Sequence, residues 1–140
     1  MEQMNELGFY TLPGAPKSPQ DLLQEVRKGE ELGLGSCFIS ERFNIKEAVT
    51  LSGAVGAVST NLGIATAATN HNTRHPLVTA SYATTMHRLT GGRFCLGIGR
   101  GIAPLFAAYG MPKITTAQME DFAQVMKRLF AGEVILGHDG

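Results

Sequence analysis

Short apolar segments and amphipathic segments alternate along the chain. Four apolar segments have the length and composition of strands buried in a parallel sheet, at residues 7–12, 36–40, 62–68 and 93–98. Each is followed by a segment in which apolar residues recur at helical spacing. The order strand then helix, repeated four times, predicts parallel βαβ units with right-handed crossovers.

Capping residues mark where the predicted helices begin. Ser18 with Pro19 begins the first helix, Asn44 begins the second, Pro76 the third and Thr115 the fourth. The third helix is predicted to bury Val78, Tyr82, Ala83, Met86 and Leu89. The fourth is predicted to bury Phe122, Val125, Met126, Leu129 and Phe130. A short extra helix is predicted over residues 102–109.

Chain length limits the architecture. A complete (β/α)8 TIM barrel needs roughly 250 residues, and this chain has 140. Four units therefore form about half of such a barrel, with residues 1–140 as one half-barrel domain. A small doubly wound sheet is the alternative. A half barrel leaves two open parallel edges, so we expect a truncated product, a fragment or half of an assembly.

Composition narrows the classes of partner and compartment. Twelve Lys and Arg residues balance twelve Asp and Glu residues, which argues against nucleic acid or an anionic membrane as the main partner. The N-terminus lacks the apolar region of a signal peptide, and no apolar run is long enough to span a bilayer. Cys37 and Cys95 lie in apolar strands, so we interpret them as reduced core thiols of a cytoplasmic protein.

A glycine-rich loop follows the fourth apolar segment. Gly97, Gly99 and Gly101 remove side chains where the strand ends, and Arg100 adds a cation between them. Free backbone N–H groups with a guanidinium suit a phosphate or another anion. Alternatively, the glycines only make a tight turn and Arg100 is solvated. A dinucleotide fingerprint is discounted, because the third glycine is missing and the loop follows the fourth strand.

Candidate site residues come from the carboxyl ends of the predicted strands, where ligands bind in either architecture. The set is polar and contains Glu41, Arg42, Asn70, His71 and Arg100. It suits an anionic planar ligand better than hydrolysis, since no nucleophile and base are paired. Glu41 and Arg42 could instead pair with neighbours at the rim. His71 and the residue four positions later lack a third ligand, so no metal site is expected.

Three segments resemble the bacterial luciferase-like monooxygenase superfamily. These are the run Arg74-His75-Pro76, the segment Gly91–Gly101 and the third strand with Ala67-Ala68. The segment Ser40–Asn44 is similar to a subgroup that depends on the deazaflavin coenzyme F-420. The resemblance covers nearly the whole chain, from the first strand to the fourth helix.

The resemblance implies a (β/α)8 barrel that binds a flavin-type cofactor at the carboxyl ends of its strands. Coenzyme F-420 is favoured and FMN is the alternative. Arg100 matches a phosphate contact, and Ala67-Ala68 matches a non-prolyl cis peptide behind the ring. The implied cofactor-binding residues are Thr66, Ala67, Ala68, Asn70, Gly99, Arg100 and Gly101.

The resemblance also implies an activity and a partner. The activity would be hydride transfer or oxygen insertion on a small organic substrate. Relatives often place a histidine at the end of the second strand, where this chain has Glu41 and Arg42, so these two are the candidate catalytic residues. A homo-oligomer through the second and third helices is expected. The alternative function is a non-catalytic half barrel that pairs through its edge strands.

Overall fold

The computed structural model describes residues 3–139. Within that range the chain forms four strands and five helices. In chain order they are β1 (Met4–Tyr10), α1 (Asp21–Glu31), β2 (Leu34–Ile39), α2 (Ala48–Val58), β3 (Gly63–Thr66), α3 (Pro76–Leu89), β4 (Phe94–Cys95), α4 (Ala103–Ala108) and α5 (Thr116–Phe130).

The four strands form one parallel sheet in the order β1-β2-β3-β4. Each strand therefore pairs with the next strand in sequence, as in one half of a (β/α)8 barrel. A doubly wound sheet would instead reverse its strand order. The predicted α/β fold with four βα units of the barrel type is confirmed.

The helices cover one face of the sheet, and the main core lies between this face and the helices. Cys37 and Ile39 of β2 and Ile64 of β3 point into this core and are almost fully buried. Side chains alternate along a strand, so the next residues point to the opposite face. Phe38 on that face is 38% exposed.

The exposed face of the sheet contains a cysteine that was predicted to be buried. Cys95 was expected to be a core thiol, but it is exposed. It belongs to the two-residue strand β4 and follows Phe94, which takes the buried side. Cys37 is buried as predicted, and its burial raises the pKa of its thiol to about 12.

Helix α2 begins later than predicted. Asn44 was expected to be its N-cap, but that residue lies in a turn in which the Lys46 N–H donates to the Arg42 carbonyl at 2.8 Å. Glu47 caps the helix instead, since its carboxylate accepts from the N–H groups of Val49 at 3.1 Å and Thr50 at 2.7 Å.

The other helix starts depart less from prediction. Ser18 sits one turn before α1 and accepts a hydrogen bond from the Gln20 N–H, while the helix itself begins at Asp21. Thr115 caps α5 with the predicted capping box to Gln118. In both places short-range hydrogen bonds decide the local geometry.

Two helices bury partly different residues from those predicted. In α3, Val78 and Leu89 are 55% and 63% exposed, and Thr79 and Ala80 are buried in their place. In α5, Phe130 is 50% exposed. The helical spacing therefore predicted the buried centre of each apolar face correctly, but it assigned some residues at the margins of these faces to the core although they are exposed. Phe122, Val125 and Met126 are buried as predicted and pack with Ala80 in a second core cluster.

No helix within residues 3–139 is long and apolar enough to cross a bilayer.

Candidate functional site

The carboxyl ends of the strands surround one cavity of about 620 Å³. Its lining combines residues that follow β2, β3 and β4 with one side of α4. Seven residues predicted from the sequence line it: Glu41, Arg42, Ala67, Ala68, Asn70, Gly99 and Gly101. Thr66 and Arg100 were also predicted, and they lie outside the lining.

The floor of the cavity is made of backbone and small side chains. The peptide bond between Ala67 and Ala68 is cis. Beyond the strand ends, the Thr69 N–H donates to the Gly97 carbonyl at 3.0 Å, and the Gly99 N–H donates to the Thr69 carbonyl at 2.8 Å. These bonds bring the glycine loop and the alanine pair side by side, as the strand order requires.

Two contacts keep side chains out of the floor. A Cβ atom on Gly97 would overlap the Thr66 carbonyl oxygen. A Cβ atom on Gly99 would lie 3.3 Å from the Ala68 Cβ. Gly97 therefore serves for close backbone approach, and Gly99 leaves space beside the Ala68 side chain.

Thr66 lies beneath the floor of the cavity and stabilises it through hydrogen bonds. Its side chain is almost fully buried, and its hydroxyl donates to the Gly97 carbonyl at 2.8 Å. The Gly97 N–H donates back to the same hydroxyl at 2.8 Å. Thr66 thus holds β3 against the glycine loop from beneath the cavity.

Glu41 is the centre of a buried hydrogen-bond network. Its side chain is 3% exposed. One carboxylate oxygen accepts from the Ala48 N–H at 2.9 Å. The other accepts from the Thr69 hydroxyl at 2.6 Å and from the Arg74 guanidinium at 3.2 Å. Both oxygens are occupied, so this carboxylate joins the ends of β2 and β3 to the start of α2.

Arg74 extends this network to Glu47. The same guanidinium pairs with the Glu47 carboxylate, which also caps α2. Partial burial acts to raise the pKa of Glu47, but hydrogen bonds from Thr50 and Val49 and the charge of Arg74 outweigh it. The pKa of Glu47 therefore lies below its usual value.

A second polar group lies where β1 ends. Lys46 is buried, and its Nζ donates to the Thr11 carbonyl at 2.5 Å and lies 4.1 Å from the centroid of the Tyr10 ring. The Tyr10 hydroxyl is 2.5 Å from the Ser40 hydroxyl. Burial acts to raise the pKa of Tyr10, but the Ser40 bond and the Lys46 charge outweigh it and lower that pKa.

Sequence reasoning missed Tyr10 and Lys46. The predicted first strand ran to residue 12, whereas β1 ends at Tyr10, which therefore takes the strand-end position. Lys46 was placed near the start of a helix, where a solvated side chain is the usual expectation. Its role depends on carbonyls more than 30 residues away in sequence.

The predicted cations differ in their surroundings. Arg42 lines the cavity, and its guanidinium donates to the Gly14 carbonyl at 2.6 Å. Arg100 is exposed, and its guanidinium donates to the Thr116 hydroxyl at 3.1 Å, at the first residue of α5. The loop therefore directs Arg100 toward α5, beside the cavity instead of into it.

The two histidines considered as metal ligands point to different partners. His71 stacks on Phe122, with ring centroids 4.9 Å apart. The His75 Nδ1 accepts from the Leu77 N–H at 3.2 Å as the N-cap of α3. Across residues 3–139, no group of three or more His, Cys, Asp or Glu side chains is arranged to hold a metal ion.

An apolar wall faces the polar strand ends. Phe43, from the loop after β2, packs on Phe106 and Tyr109 with ring centroids 6.0 and 6.1 Å away. Ile102 and Leu105 complete this side of the cavity. The sequence predicted the short helix of the wall, but no property of the segment indicated that it would face Phe43.

Comparisons with known proteins agree on one family. The model of the luciferase-like monooxygenase family matches residues 5–140. The 5,10-methylenetetrahydromethanopterin reductase of Methanopyrus kandleri is 27% identical over 105 residues, which is 75% of this chain and 30% of the reductase. This chain therefore spans about a third of the length of that curated relative.

Solved structures share the fold. The coenzyme F-420-dependent tetrahydromethanopterin reductase of Methanopyrus kandleri aligns with a TM-score of 0.76 and 22% identity, covering 87% of this chain and 39% of that one. The oxygenating constituent of 3,6-diketocamphane monooxygenase from Pseudomonas putida, solved with FMN, aligns with a TM-score of 0.82 and 21% identity. It is covered over 41% of its length, and this chain over 96%.

Proposed function

This chain belongs to the luciferase-like monooxygenase family, and we propose that it forms part of a flavin- or deazaflavin-dependent oxidoreductase. Its substrate would be a small organic molecule. The observation that carries the proposal is the bare floor of Ala67, Ala68 and Gly99, which lies at the carboxyl ends of parallel strands. That is the edge at which barrel enzymes bind their ligands.

The residues present suit a flat ring. The floor carries only small side chains at Ala67, Ala68 and Gly99, so it leaves room for a flat ring. Asn70 brings an amide to its edge, where the Thr73 hydroxyl donates to the Asn70 side-chain oxygen at 3.0 Å. When bound, a deazaflavin or flavin supplies two-electron chemistry, and the protein supplies binding, orientation and exclusion of water.

Coenzyme F-420 is the favoured cofactor. This preference is supported by the fold that the chain shares with the coenzyme F-420-dependent reductase of Methanopyrus kandleri. FMN is the alternative, because a structure of the same fold contains it. Residues 1–140 would supply one half barrel of the enzyme.

The two candidate catalytic residues would have different roles. Glu41 has both oxygens occupied by Ala48, Thr69 and Arg74, so we assign it to positioning the strand ends. Arg42 lines the cavity, and its anchor on Gly14 fixes the guanidinium near the rim. Arg42 is therefore the candidate for contact with the substrate.

Binding is the direct test. Purified protein is titrated separately with F-420 and with FMN while the fluorescence of the ring is followed. We expect saturable binding of at least one, with F-420 the tighter. If neither binds, this polypeptide has no independent cofactor site, and the alternative of an assembly module that pairs through β1 and β4 gains support.

A further inference from the structure

A tyrosine, a serine and a lysine meet where β1 and β2 end. Tyr10 and Ser40 both line the cavity, and their hydroxyl oxygens lie 2.5 Å apart. Lys46 lies against the tyrosine, with its Nζ 4.1 Å from the centroid of the Tyr10 ring. Tyr10 is 42% exposed, so a ligand in the cavity can reach it while the serine and the lysine stay in contact with it.

The lysine is fixed by backbone carbonyl groups. Its side chain is buried, and its Nζ donates to the Thr11 carbonyl at 2.5 Å and to the Leu12 carbonyl at 3.3 Å. Carbonyl oxygens and the face of an aromatic ring are suitable neighbours for an ammonium group. Lys46 is therefore held beside the ring that carries the Tyr10 hydroxyl, where a positive charge favours the phenolate form.

The surroundings of Tyr10 make its hydroxyl a stronger acid. Burial acts to raise the pKa of Tyr10, but the Ser40 hydrogen bond and the positive charges of Lys46 and Arg42 outweigh it. The pKa of Tyr10 therefore lies below its ordinary value of 10.0. A catalytic acid or base works best when its pKa lies near the working pH, so the shift is in the useful direction.

Other titratable groups near the cavity are less suited to proton exchange. Both oxygens of Glu41 are occupied by hydrogen bonds, and a guanidinium such as that of Arg42 keeps its proton. Tyr109 stands in the apolar wall. On α1, Glu25 accepts from the backbone N–H two residues beyond the end of β1, at 2.8 Å. Within the described part of the chain, Tyr10 is therefore the side chain of the lining best placed to exchange a proton.

We propose that Tyr10 is a catalytic acid and base whose hydroxyl exchanges a proton with an oxygen atom of the substrate. Ser40 and Lys46 are its positioning residues. The inference rests on the proposed function, because the hydride that accompanies this proton is exchanged with the cofactor.

Proton and hydride balance in both directions. In reduction, a carbonyl carbon gains a hydride from the reduced cofactor, the π electron pair moves to the oxygen, and that oxygen takes the Tyr10 proton to give an alcohol. Tyr10 is then a phenolate beside Lys46, and it regains a proton from water through the Ser40 hydroxyl. In oxidation the phenolate takes the alcohol proton while the hydride leaves for the oxidised cofactor.

A chromogenic aldehyde tests proton donation without turnover. The absorbance of 4-(dimethylamino)cinnamaldehyde shifts to the red when its carbonyl oxygen accepts a hydrogen bond, and the probe is titrated with the protein in the absence of cofactor. We expect a saturable red shift with wild type at neutral pH. Tyr10→Phe keeps the ring against Lys46 but should abolish the shift and weaken binding about two- to tenfold, because one hydrogen bond is lost.

The pH dependence of the red shift tests the cluster around Tyr10. A phenol donates only while it is protonated, so the shift should be present at neutral pH and lost as the pH rises through the lowered pKa of Tyr10. Ser40→Ala removes a hydrogen bond that lowers this pKa, so the loss should move to higher pH. Tyr109→Phe is the matched control, since it makes the same change at another exposed tyrosine of the lining, and it should leave the shift and its pH profile unchanged.

The ultraviolet absorbance of tyrosinate gives a second readout that needs no ligand. The chain has three tyrosines and no tryptophan. Burial raises the pKa of Tyr82 to about 12, so its titration is separated from that of Tyr10. The first tyrosine to ionise as the pH rises should be missing in Tyr10→Phe and present in Tyr109→Phe.

The outcomes distinguish the two proposals. No red shift with wild type, a red shift that survives Tyr10→Phe, or a first ionisation that survives Tyr10→Phe would overturn the assignment of Tyr10. If F-420 and FMN both fail to bind while these results hold, the proposed function fails, and Tyr10 keeps only its role as a hydrogen-bond donor to a ligand. If a cofactor binds but the red shift is independent of Tyr10, the proposed function stands and the assignment fails.

Discussion

Arg100 is predicted to contact the phosphate of a bound cofactor. Its guanidinium is exposed and holds only the Thr116 hydroxyl, at 3.1 Å, among residues 3–139. Exchanging a neutral partner for a phosphate would strengthen the hydrogen bond, because charge-assisted bonds are stronger than neutral ones.

Replacing this arginine tests the role directly. Arg100→Ala should weaken FMN binding by roughly 1.5–3 kcal/mol, about tenfold or more, through the loss of a charged hydrogen bond. Riboflavin, which lacks the phosphate, should bind wild type and variant alike in the same titration. Arg88→Ala, which removes an exposed arginine on α3, serves as the control. Equal weakening of FMN and riboflavin would place the arginine away from the phosphate.

The location of the site residues was more predictable than their partners. Gly99 and Glu41 were assigned to the cavity because each follows a predicted strand, and Ala68 because the third strand resembles that of the luciferase-like family. The role of Glu41 was not predictable, because its partners Thr69 and Arg74 lie 28 and 33 residues away. The sequence shows a carboxylate at a strand end, and only the folded chain shows that its oxygens are occupied.

At the scale of elements, local signals determined helix starts where no tertiary contact competed. The capping box of α5 joins residues three apart and was predicted correctly. Helix α2 differs, because Glu41 accepts from the Ala48 N–H and the turn at Lys46 delays the helix. The contact from Glu41 crosses seven residues and involves a buried side chain, which a local pattern does not reveal.

A carboxylate also joins α1 to the loop before β3. Glu30 accepts hydrogen bonds from the N–H groups of Thr60 at 2.7 Å, Asn61 at 2.6 Å and Leu62 at 3.2 Å. Partial burial acts to raise the pKa of Glu30, but these backbone bonds outweigh it and hold that pKa below the ordinary value of 4.5. The stabilisation is therefore present above pH 4.5 and is lost as the pH falls through the lower folded-state pKa.

Glu30→Gln should lower the free energy of unfolding at neutral pH by about 1–2 kcal/mol, since the backbone donors lose a charged acceptor. The difference from wild type should shrink as the pH falls through the lowered pKa of Glu30, where the native carboxylate is also protonated. Urea unfolding at a series of pH values from neutral into the acidic range measures both effects. Glu31→Gln changes the neighbouring exposed carboxylate and should have little effect. A loss that is independent of pH would contradict the linkage.

At the scale of the whole molecule, the topology of the sheet was predicted from the sequence, but the exposure of one face of the sheet was not. Alternating strand and helix segments predicted that β1 to β4 would be parallel, and the family resemblance favoured the barrel order over a doubly wound sheet. Continuous apolar runs were interpreted as strands covered on both faces, which the exposed Phe38 and Cys95 contradict for residues 3–139. In a complete barrel both faces of each strand would be covered, which suits continuous apolar runs. In these four units only the face of the sheet that packs against the helices is buried.

Assembly is the prediction that belongs to the whole molecule. Homo-oligomerisation was expected through α2 and α3, and α3 exposes Leu77, Val78 and Leu89. On α2, a Cβ atom at Gly53 would have no neighbour within 4 Å. Gly53→Arg should therefore fold normally and convert a dimer into a monomer, as measured by light scattering after size exclusion.

The matching control is Gln124→Arg, which places the same side chain on an exposed position of α5. It should leave the molar mass unchanged. If the wild-type protein is already a monomer, or if Gly53→Arg remains a dimer, the contact does not run through these helices.

The close packing beneath the cavity has a consequence for anyone who wishes to redesign the protein. Thr66 and Gly97 bond to each other through backbone and hydroxyl with no space for a larger side chain, so a mutant library gains nothing by diversifying them. Leu105 lies on the six-residue helix α4 and Ile102 immediately before it, and both side chains are exposed, so substitutions there should cost the scaffold little. New substrates should accordingly be sought by varying one side of the cavity while the other is kept untouched.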